Sequence, residues 1–136
     1  MAKRDIELIV DEFTSPCENP VSPETSLKEI ISLLEKENYR HVPVVENSKP
    51  IGIISSRDLK FISRLDVANL DFKAREFMTA DPFTVTVGTP VQEVAFEMSQ
   101  RKIGSAIVTN SDGEIEGIFT TTDALNALVE ILRGDI

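Results

Sequence analysis

The chain has 136 residues, of which 41% are hydrophobic and 27% are charged, and its net charge at pH 7 is −9. This composition is typical of a folded globular domain and excludes a chain that is disordered throughout. The negative net charge disfavours the broad electrostatic attraction on which binding to nucleic acid or to anionic lipid depends. We therefore expect neither nucleic acid nor a membrane as a partner.

The single cysteine, Cys17, cannot form an internal disulfide, which fits a reducing compartment. No apolar run approaches the ~18 residues of a membrane span, and Asp5 and Glu7 interrupt any signal-peptide core near the start. These features predict a cytoplasmic protein. Because His41 is the one histidine, a multi-histidine metal site is excluded, and we expect no metal and no cofactor.

An internal duplication is the main feature of the sequence. The stretch GIISSRDL (52–59) is repeated in character as GIFTTTDA (117–124), which places Asp58 and Asp123 at the same position, 65 residues apart. Farther upstream, Leu27 matches Val91 at an offset of 64 residues. A nearly constant offset over most of the chain indicates two copies of one unit of about sixty residues, too few copies for a solenoid.

The first copy begins with a weak strand pattern at 18–22, which Pro20 limits to a sheet edge. A helix is predicted next, because Ser26 and Glu29 form a capping-box pattern ahead of an apolar stripe. The stripe consists of Leu27, Ile30, Ile31 and Leu34. Two β-branched runs at 41–45 and 51–54 then predict a hairpin, and a second helix follows the hydroxyl cluster.

The second copy has the same order of elements. A strand is predicted at 83–87, then a helix with Pro90 in its first position, then a hairpin at 105–109 and 115–119. Gly113 suits a turn position with positive φ, and Gly134 is suited to end the last helix. The apolar stripes of the two helices are Val91, Val94, Ala95 and Met98, and Leu125, Leu128, Val129 and Leu132.

The predicted fold is therefore an α/β domain of two pseudo-twofold-related β-α-β-β-α repeats that pack through their sheets. We place the first repeat, with an N-terminal helix, at 1–65, a linker at 66–76 and the second repeat at 77–136.

The hydroxyl–aspartate turns at Ser55–Asp58 and Thr120–Asp123 allow two interpretations. A hydroxyl followed three residues later by an acid is a helix cap. The same turns could instead bind a nucleotide, because a helix start is a ready anion site and a carboxylate can accept two hydrogen bonds from a ribose diol. The residues alone leave both interpretations open.

The paired units resemble a tandem CBS module, also called a Bateman module. The resemblance is carried by RHVPVV (40–45) with GIISSRDL, by IGSAIVTNSDGEIEGIFTTTDAL (103–125), and by Met78-Thr79 ahead of Asp81-Pro82. It implies a regulatory module that binds AMP, ADP, ATP or S-adenosylmethionine in clefts between the repeats. Binding would change the conformation or oligomeric state, which a regulated partner protein would detect.

The resemblance also implies roles for individual residues. Asp58 and Asp123 would hold ribose hydroxyls, and Ser55 and Thr120 would help to hold phosphate. The adenine would lie against Thr84, Val85 and Thr86 in the second copy and against Asn19, Pro20 and Val21 in the first.

Arg40 and His41 stand where basic residues of some family members reach phosphates. Arg57 offers a planar fork to a phosphate, whereas the second copy has Thr122 at that position and Gly104-Ser105 in place of Arg40-His41. The two sites are therefore expected to be unequal.

The alternative is a ligand-free assembly module in which the turns are caps only. CBS pairs often form homodimers through their helices, and the faces available here are Leu59, Phe61 and Ile62, and Leu125, Leu128 and Leu132. An enzyme is disfavoured, because neither turn has a nucleophile, a paired base or a metal cluster beside it in the sequence.

Overall fold

The computed structural model describes residues 8–64 and 72–134, without the side chains of 61–64. The chain divides into two compact units. One unit comprises 17–64 and 72–82, and the other comprises 8–16 and 83–134. Each is described separately below.

The described residues form seven strands and five α-helices. The strands are β1 (Ser15–Pro16), β2 (His41–Glu46), β3 (Lys49–Ser55), β4 (Thr79–Ala80), β5 (Thr84–Thr86), β6 (Ser105–Thr109) and β7 (Ile115–Thr120). The helices are α1 (Leu27–Glu37), α2 (Ser56–Arg64), α3 (Ala74–Phe77), α4 (Val91–Arg101) and α5 (Thr121–Arg133), with a 3₁₀ turn at Val10–Glu12.

In the first unit, β2, β3 and β4 form an antiparallel sheet in that order. On the free side of β2, Val21 pairs with Val44 in parallel as a single bridge. Pro20 has no N–H to extend this pairing, so the predicted edge strand is reduced to one residue pair. Helices α1 and α2 cover the sheet, and the core contains Leu27, Ile30, Leu34, Val42, Val44, Ile54 and Leu59.

In the second unit, the sheet order is β1-β7-β6-β5. Strands β5 and β6 are parallel, and the other pairs are antiparallel. Fully buried Phe119 lies at the centre of a core that includes Val91, Val94, Met98, Ala106 and Val108. The equivalent order of elements in the two units confirms the predicted α/β duplication.

The structure refines three details of the predicted boundaries. Residues 8–16 pack with 83–134, and their described helical part is the short 3₁₀ turn. Of the expected linker at 66–76, residues 66–71 lie outside the described part of the chain, whereas 74–76 belong to α3, which continues to Phe77. Pro90 is the N-cap of α4, one residue ahead of its predicted position.

The glycines that open the two repeated stretches are explained by close contacts that leave no room for a Cβ. Gly52 is paired with Ala80 of β4, and a Cβ placed on Gly52 would collide with the Met78 side chain. Gly117 is paired with Pro16 of β1, and its Cβ would lie 2.5 Å from the Ser15 carbonyl oxygen. In each unit, therefore, a short strand from elsewhere in the chain pairs beside a glycine that has no side chain to obstruct it.

The apolar stripe of α5 faces outward, although it was the pattern that predicted the helix. Leu125, Leu128, Val129 and Leu132 are 42–76% exposed. The face of α5 that packs on the core carries Ala127, which is buried, with Ala124 and Ile131 at its margin. Small residues let α5 approach the core and leave its larger apolar side chains unpartnered within the unit.

Candidate functional site

The turn at Ser55–Asp58 lies at one end of the first unit's sheet. Ser55 is the last residue of β3, and its Oγ accepts a hydrogen bond from the Asp58 N–H at 3.2 Å, which caps α2. Ser55 is paired with His41 across the sheet, and the Ser56 N–H donates to the Arg40 carbonyl at 2.7 Å. The register therefore brings the Arg40–His41 pair beside the start of α2.

Charged side chains at this turn are available for a ligand. Arg40, Arg57 and Asp58 are exposed. Within 8–64 and 72–134, neither arginine forms an ion pair, and the Asp58 carboxylate accepts no hydrogen bond. Two guanidinium groups and a free carboxylate thus lie close to one helix start.

His41 is half-buried beside these groups. Its Nδ1 is inaccessible to solvent and has no hydrogen-bond partner among the described residues. Burial, and secondarily the Arg40 charge, lower the pKa of His41, and Asp58 partly opposes them. A half-buried imidazole of lowered pKa favours its neutral form, in which one ring nitrogen can accept a hydrogen bond.

The turn at Thr120–Asp123 forms a complete capping box. The Thr120 N–H donates to Asp123 Oδ2 at 2.8 Å, and the Thr120 hydroxyl donates to the same oxygen at 3.0 Å. In return, the Asp123 N–H donates to Thr120 Oγ1 at 3.4 Å. The cap interpretation therefore holds for this turn, while Asp123 Oδ1 keeps its acceptor capacity for another donor.

The residues that pair with this second turn carry no charge. Ser105, which is paired with Thr120, is buried, and the Gly104 carbonyl accepts hydrogen bonds from the N–H and hydroxyl of Thr121. The neighbouring Arg101 is already engaged, because it bonds to Glu97 at 3.2 Å and stacks over the Phe83 ring at 4.5 Å. The two turns thus differ in their contacts as well as in their sequence.

The residues predicted to meet adenine differ in how far their side chains are available. Thr84 and Thr86 of β5 are exposed, whereas Val85 packs against the core. In the first unit, Val21 is part of the core, and Asn19 is exposed and donates to the Tyr39 hydroxyl at 3.2 Å. Val21 could therefore meet a ligand only through its backbone.

Sequence matching missed one correspondence. Val21 lies opposite Val44 just as Val85 lies opposite Val108, so the counterparts of Thr84 and Thr86 are Pro20 and Ser22. The offset is therefore 64 residues at this segment and 65 at the turns. The offset of 64 between Leu27 and Val91 was the signal that could have identified Ser22 as a further exposed hydroxyl of this segment.

Comparison with known proteins establishes the family. The CBS domain model matches the chain twice, at residues 8–64 and 74–130, one match for each copy of the duplicated unit. The chain belongs to the CBS domain family and is a tandem CBS pair.

Solved structures agree with this assignment. The protein AcuB from Vibrio cholerae is similar with a TM-score of 0.80 and 26% identity, over 94% of this chain and 95% of that one. The CBS domain pair of protein MJ0100, in complex with 5′-methylthioadenosine and S-adenosyl-L-methionine, gives a TM-score of 0.78 and 26% identity over 91% and 98%. CBSX2, in complex with AMP, matches in fold with a TM-score of 0.77, at 24% identity over 90% and 97%.

Curated relatives by sequence include inosine-5′-monophosphate dehydrogenases. The enzyme from Aquifex aeolicus is 34% identical over 109 residues, which are 77% of this chain and 22% of the enzyme. The one from Korarchaeum cryptofilum is 32% identical over 103 residues, 76% of this chain and 21% of the enzyme. The chain therefore spans about a fifth of the length of these relatives.

Metal-binding clusters and membrane-spanning helices are absent from the described ranges. Residues 8–64 and 72–134 contain no group of three or more histidine, cysteine, aspartate or glutamate side chains placed to hold a metal ion. The helices within these ranges are all too short or too polar to cross a membrane.

Proposed function

We propose that the chain is a regulatory module that senses an adenosine-containing ligand through its two hydroxyl–aspartate turns. The observation that carries the proposal is the exposed Asp58 carboxylate, which accepts no hydrogen bond from the described residues and stands beside Arg40, His41 and Arg57. In a chain of net charge −9, a local group of basic side chains at a helix start favours an anionic ligand.

The ribose would be held by the aspartates. A carboxylate accepts hydrogen bonds from both hydroxyls of a vicinal diol, and such charge-assisted bonds are stronger than neutral ones. Asp58 offers both oxygens, and Asp123 offers Oδ1 while Oδ2 maintains the helix cap. The methylthioadenosine and S-adenosylmethionine in the related CBS pair support a ligand of the adenosyl class.

Phosphate groups would be held mainly at the first turn. Arg57 and Arg40 supply guanidinium groups there, and the Ser55 hydroxyl can donate its proton while its oxygen caps α2. At the second turn, Thr122 replaces the arginine and Thr120 already donates to Asp123. The proposal therefore assigns AMP, ADP or ATP to the first turn in preference to the second.

Regulation would follow from a difference in ligand affinity between two conformations or oligomeric states, since a ligand shifts an equilibrium only by that difference. A partner protein that contacts one of the two states would detect the shift. The related CBS pair of protein MJ0100 is a complex with adenosyl ligands, which supports binding as the function, and we propose no catalytic step for this chain.

Calorimetric titration and thermal shift with adenosine, AMP, ADP, ATP and S-adenosylmethionine test the proposal. Binding should raise the melting temperature, because a ligand present at a hundred times its Kd stabilises the folded state by about 2.7 kcal/mol. Asp58→Ala and Asp123→Ala should each lower affinity at one site, while Asp112→Ala, an exposed acid in a hairpin turn, should have no effect. Absence of heat and of thermal shift with all five compounds would refute the proposal.

A second candidate function, self-association, is supported by the exposed apolar side chains of α5. Four of the large apolar side chains on this one helix are at least 42% exposed. Large contiguous apolar patches on a soluble protein mark interaction sites. Self-association and ligand sensing are compatible, because oligomerisation is one way to report an occupied site.

A further inference from the structure

Among the side chains that the structure describes, His41 carries the one polar atom that is buried without a hydrogen-bond partner. That atom is Nδ1 of the imidazole. The great majority of buried polar atoms in folded proteins are hydrogen-bonded, so an unpaired one needs an explanation. The other ring nitrogen, Nε2, is not enclosed in this way and stays open to a ligand.

The imidazole lies on the face of the sheet that carries the first hydroxyl–aspartate turn. His41 begins β2 and is paired with Ser55, the last residue of β3, whose hydroxyl caps α2. Side chains of directly paired residues on antiparallel strands project to the same face, with their Cβ atoms about 5 Å apart. The ring is therefore a neighbour of the position at which Ser55 and Arg57 would meet a phosphate.

The charged groups around His41 can be named for each element beside it. Arg40 precedes it in the chain, and α2 begins with Arg57 and Asp58. The paired stretch of β3 (51–55) and the segment on the free side of β2 (19–21) contain no charged residue. Burial and the Arg40 charge lower the pKa of His41, and Asp58 partly opposes them. Without a ligand, the balance of these groups favours the neutral ring.

The unpaired Nδ1 has the same consequence. An imidazolium donates from both ring nitrogens, and its Nδ1–H would be a buried donor without an acceptor. In the neutral ring, the proton resides on Nε2, and Nδ1 has only an unused lone pair. The free protein thus presents Nε2–H to the site, and a second proton becomes favourable only when a new negative charge comes close.

We infer that His41 determines ligand specificity at the first turn by taking up a proton from solvent when a phosphate-bearing ligand binds there. The inference rests on the proposed function and adds one proton to the complex that it describes. A phosphate close to the ring offsets the charge of Arg40 and favours the imidazolium, whereas uncharged adenosine brings no such charge. His41 therefore strengthens the binding of nucleotides as the pH falls, and does not strengthen that of adenosine.

Two features separate the second turn from this behaviour. Ser105 is the counterpart of His41, and a serine hydroxyl does not take up a proton near neutral pH. The surrounding charge also differs, because the first unit has nine basic and nine acidic residues in 17–64 and 72–82, whereas the second has three and nine in 8–16 and 83–134. Proton uptake with a phosphate is therefore assigned to the first turn alone.

Nuclear magnetic resonance of the full, untagged chain tests the inference without a substitution. Because His41 is the one histidine, its imidazole gives a single titrating Hε1 signal. The signal is followed across about pH 5 to 8, the range in which histidine titrates, in the free protein and with saturating adenosine or AMP. We expect the titration midpoint to move to higher pH with AMP and to change little with adenosine, which engages Asp58 but brings no phosphate.

A matched variant separates the proton on His41 from the proton on the ligand's own phosphate. His41→Gln keeps a neutral polar side chain and leaves the ionisation of AMP unchanged. The ratio of wild-type to variant affinity for AMP should rise about tenfold from about pH 8 to pH 5, which is the effect of moving the midpoint by about one pH unit. The same ratio for adenosine should stay constant, and calorimetric titration measures both.

The outcomes distinguish this inference from the proposed function. If neither adenosine nor AMP binds, the proposed function fails and this inference fails with it. If both bind but the His41 midpoint is the same with each ligand, or the affinity ratio for AMP does not change with pH, the inference alone is overturned. The arginines would then hold the phosphate without a proton on His41.

Discussion

The two hydroxyl–aspartate turns occupy equivalent places in the two units, yet they have different contacts. At the second turn, the carboxylate of Asp123 accepts two hydrogen bonds from Thr120 and stabilises the start of α5. At the first, the Ser55 hydroxyl caps α2 without help from the Asp58 carboxylate. The same sequence pattern thus uses the Asp123 carboxylate as part of a helix cap in the second copy, whereas the Asp58 carboxylate takes no part in the cap of the first copy.

A turn of this kind can therefore cap a helix and still leave a carboxylate oxygen that could accept a hydrogen bond from a ligand. The cap consumes one carboxylate oxygen in the second copy and none in the first, so both aspartates retain acceptors for a ligand. The copies differ in the residues at the equivalent positions nearby, which are the basic residues Arg40, His41 and Arg57 in one and the uncharged residues Gly104, Ser105 and Thr122 in the other.

The glycine substitutions should produce the largest effect and the clearest difference between the units. Gly117→Ala places a methyl group against the Ser15 carbonyl oxygen, which is backbone, whereas Gly52→Ala meets the Met78 side chain, whose Sδ and Cγ can rotate away although its Cβ, at 2.9 Å, must shift with the backbone. We expect Gly117→Ala to cost about 3 kcal/mol and Gly52→Ala about 1 kcal/mol. Urea denaturation measures both, and equal costs would contradict the distinction.

Exchange of Arg57 and Thr122, the residues before the two aspartates, should move the preference for phosphate-bearing ligands from the first site to the second. Arg57→Thr should lower the affinity for ATP about tenfold, the value of one charge-assisted contact, and leave the affinity for adenosine nearly unchanged. Thr122→Arg should strengthen ATP binding at the second site. Calorimetry with both ligands measures the ratio, and an unchanged ATP-to-adenosine ratio in both variants would refute the assignment.

Replacement of each aspartate by alanine should show how much its carboxylate contributes to the stability of the protein without ligand. Asp123→Ala breaks the capping box and should destabilise the protein by about 1–2 kcal/mol. Asp58→Ala loses a favourable position near a helix start and should cost about 0.5 kcal/mol. Thermal denaturation without ligand provides the comparison, and a larger loss for Asp58→Ala would contradict the observed contacts.

The smallest expected effect is a pH dependence from His41. Because burial and Arg40 lower its pKa in the folded protein, the unfolded chain binds more protons between that lowered pKa and the ordinary value of 6.5. Stability due to this residue is therefore fully present above pH 6.5 and declines as the pH falls through that window.

His41→Ser, which introduces the residue found at the second copy's equivalent position, should remove this part of the acid sensitivity. The measurement is the free energy of unfolding of both proteins from neutral pH to about pH 5. Parallel curves would show that His41 titrates alike in the folded and unfolded states.

Much of this fold could be predicted from local patterns. The stripe from Leu27 to Leu34 and the β-branched runs identified helices and strands, and the glycines at 113 and 134 adopt the expected positive φ. The pairing of β1 with Gly117 and of β4 with Gly52 could not be predicted, because two-residue strands carry no periodic signal. For the same reason, the role of Gly52 and Gly117 could not be predicted from the local pattern.

The positions of the two turns, between a strand and a helix, were predictable, but their contacts were not. The duplicated motif identified Ser55, Asp58, Thr120 and Asp123, yet only coordinates distinguish a carboxylate that caps from one that does not. Periodicity also has a limit at α5. It shows that Leu125, Leu128 and Leu132 share one face of the helix, but it does not show whether that face contacts the core.

Under the proposed function, a carboxylate in these turns holds the two hydroxyls of a ribose. Calorimetric titration of the nucleotide-free protein with AMP and with 2′-deoxy-AMP, which lacks one of those hydroxyls, tests it most directly. We predict that AMP binds at least about tenfold more tightly, as expected when a charge-assisted hydrogen bond is lost. Equal affinities for the two compounds, or no binding of either, would contradict the claim.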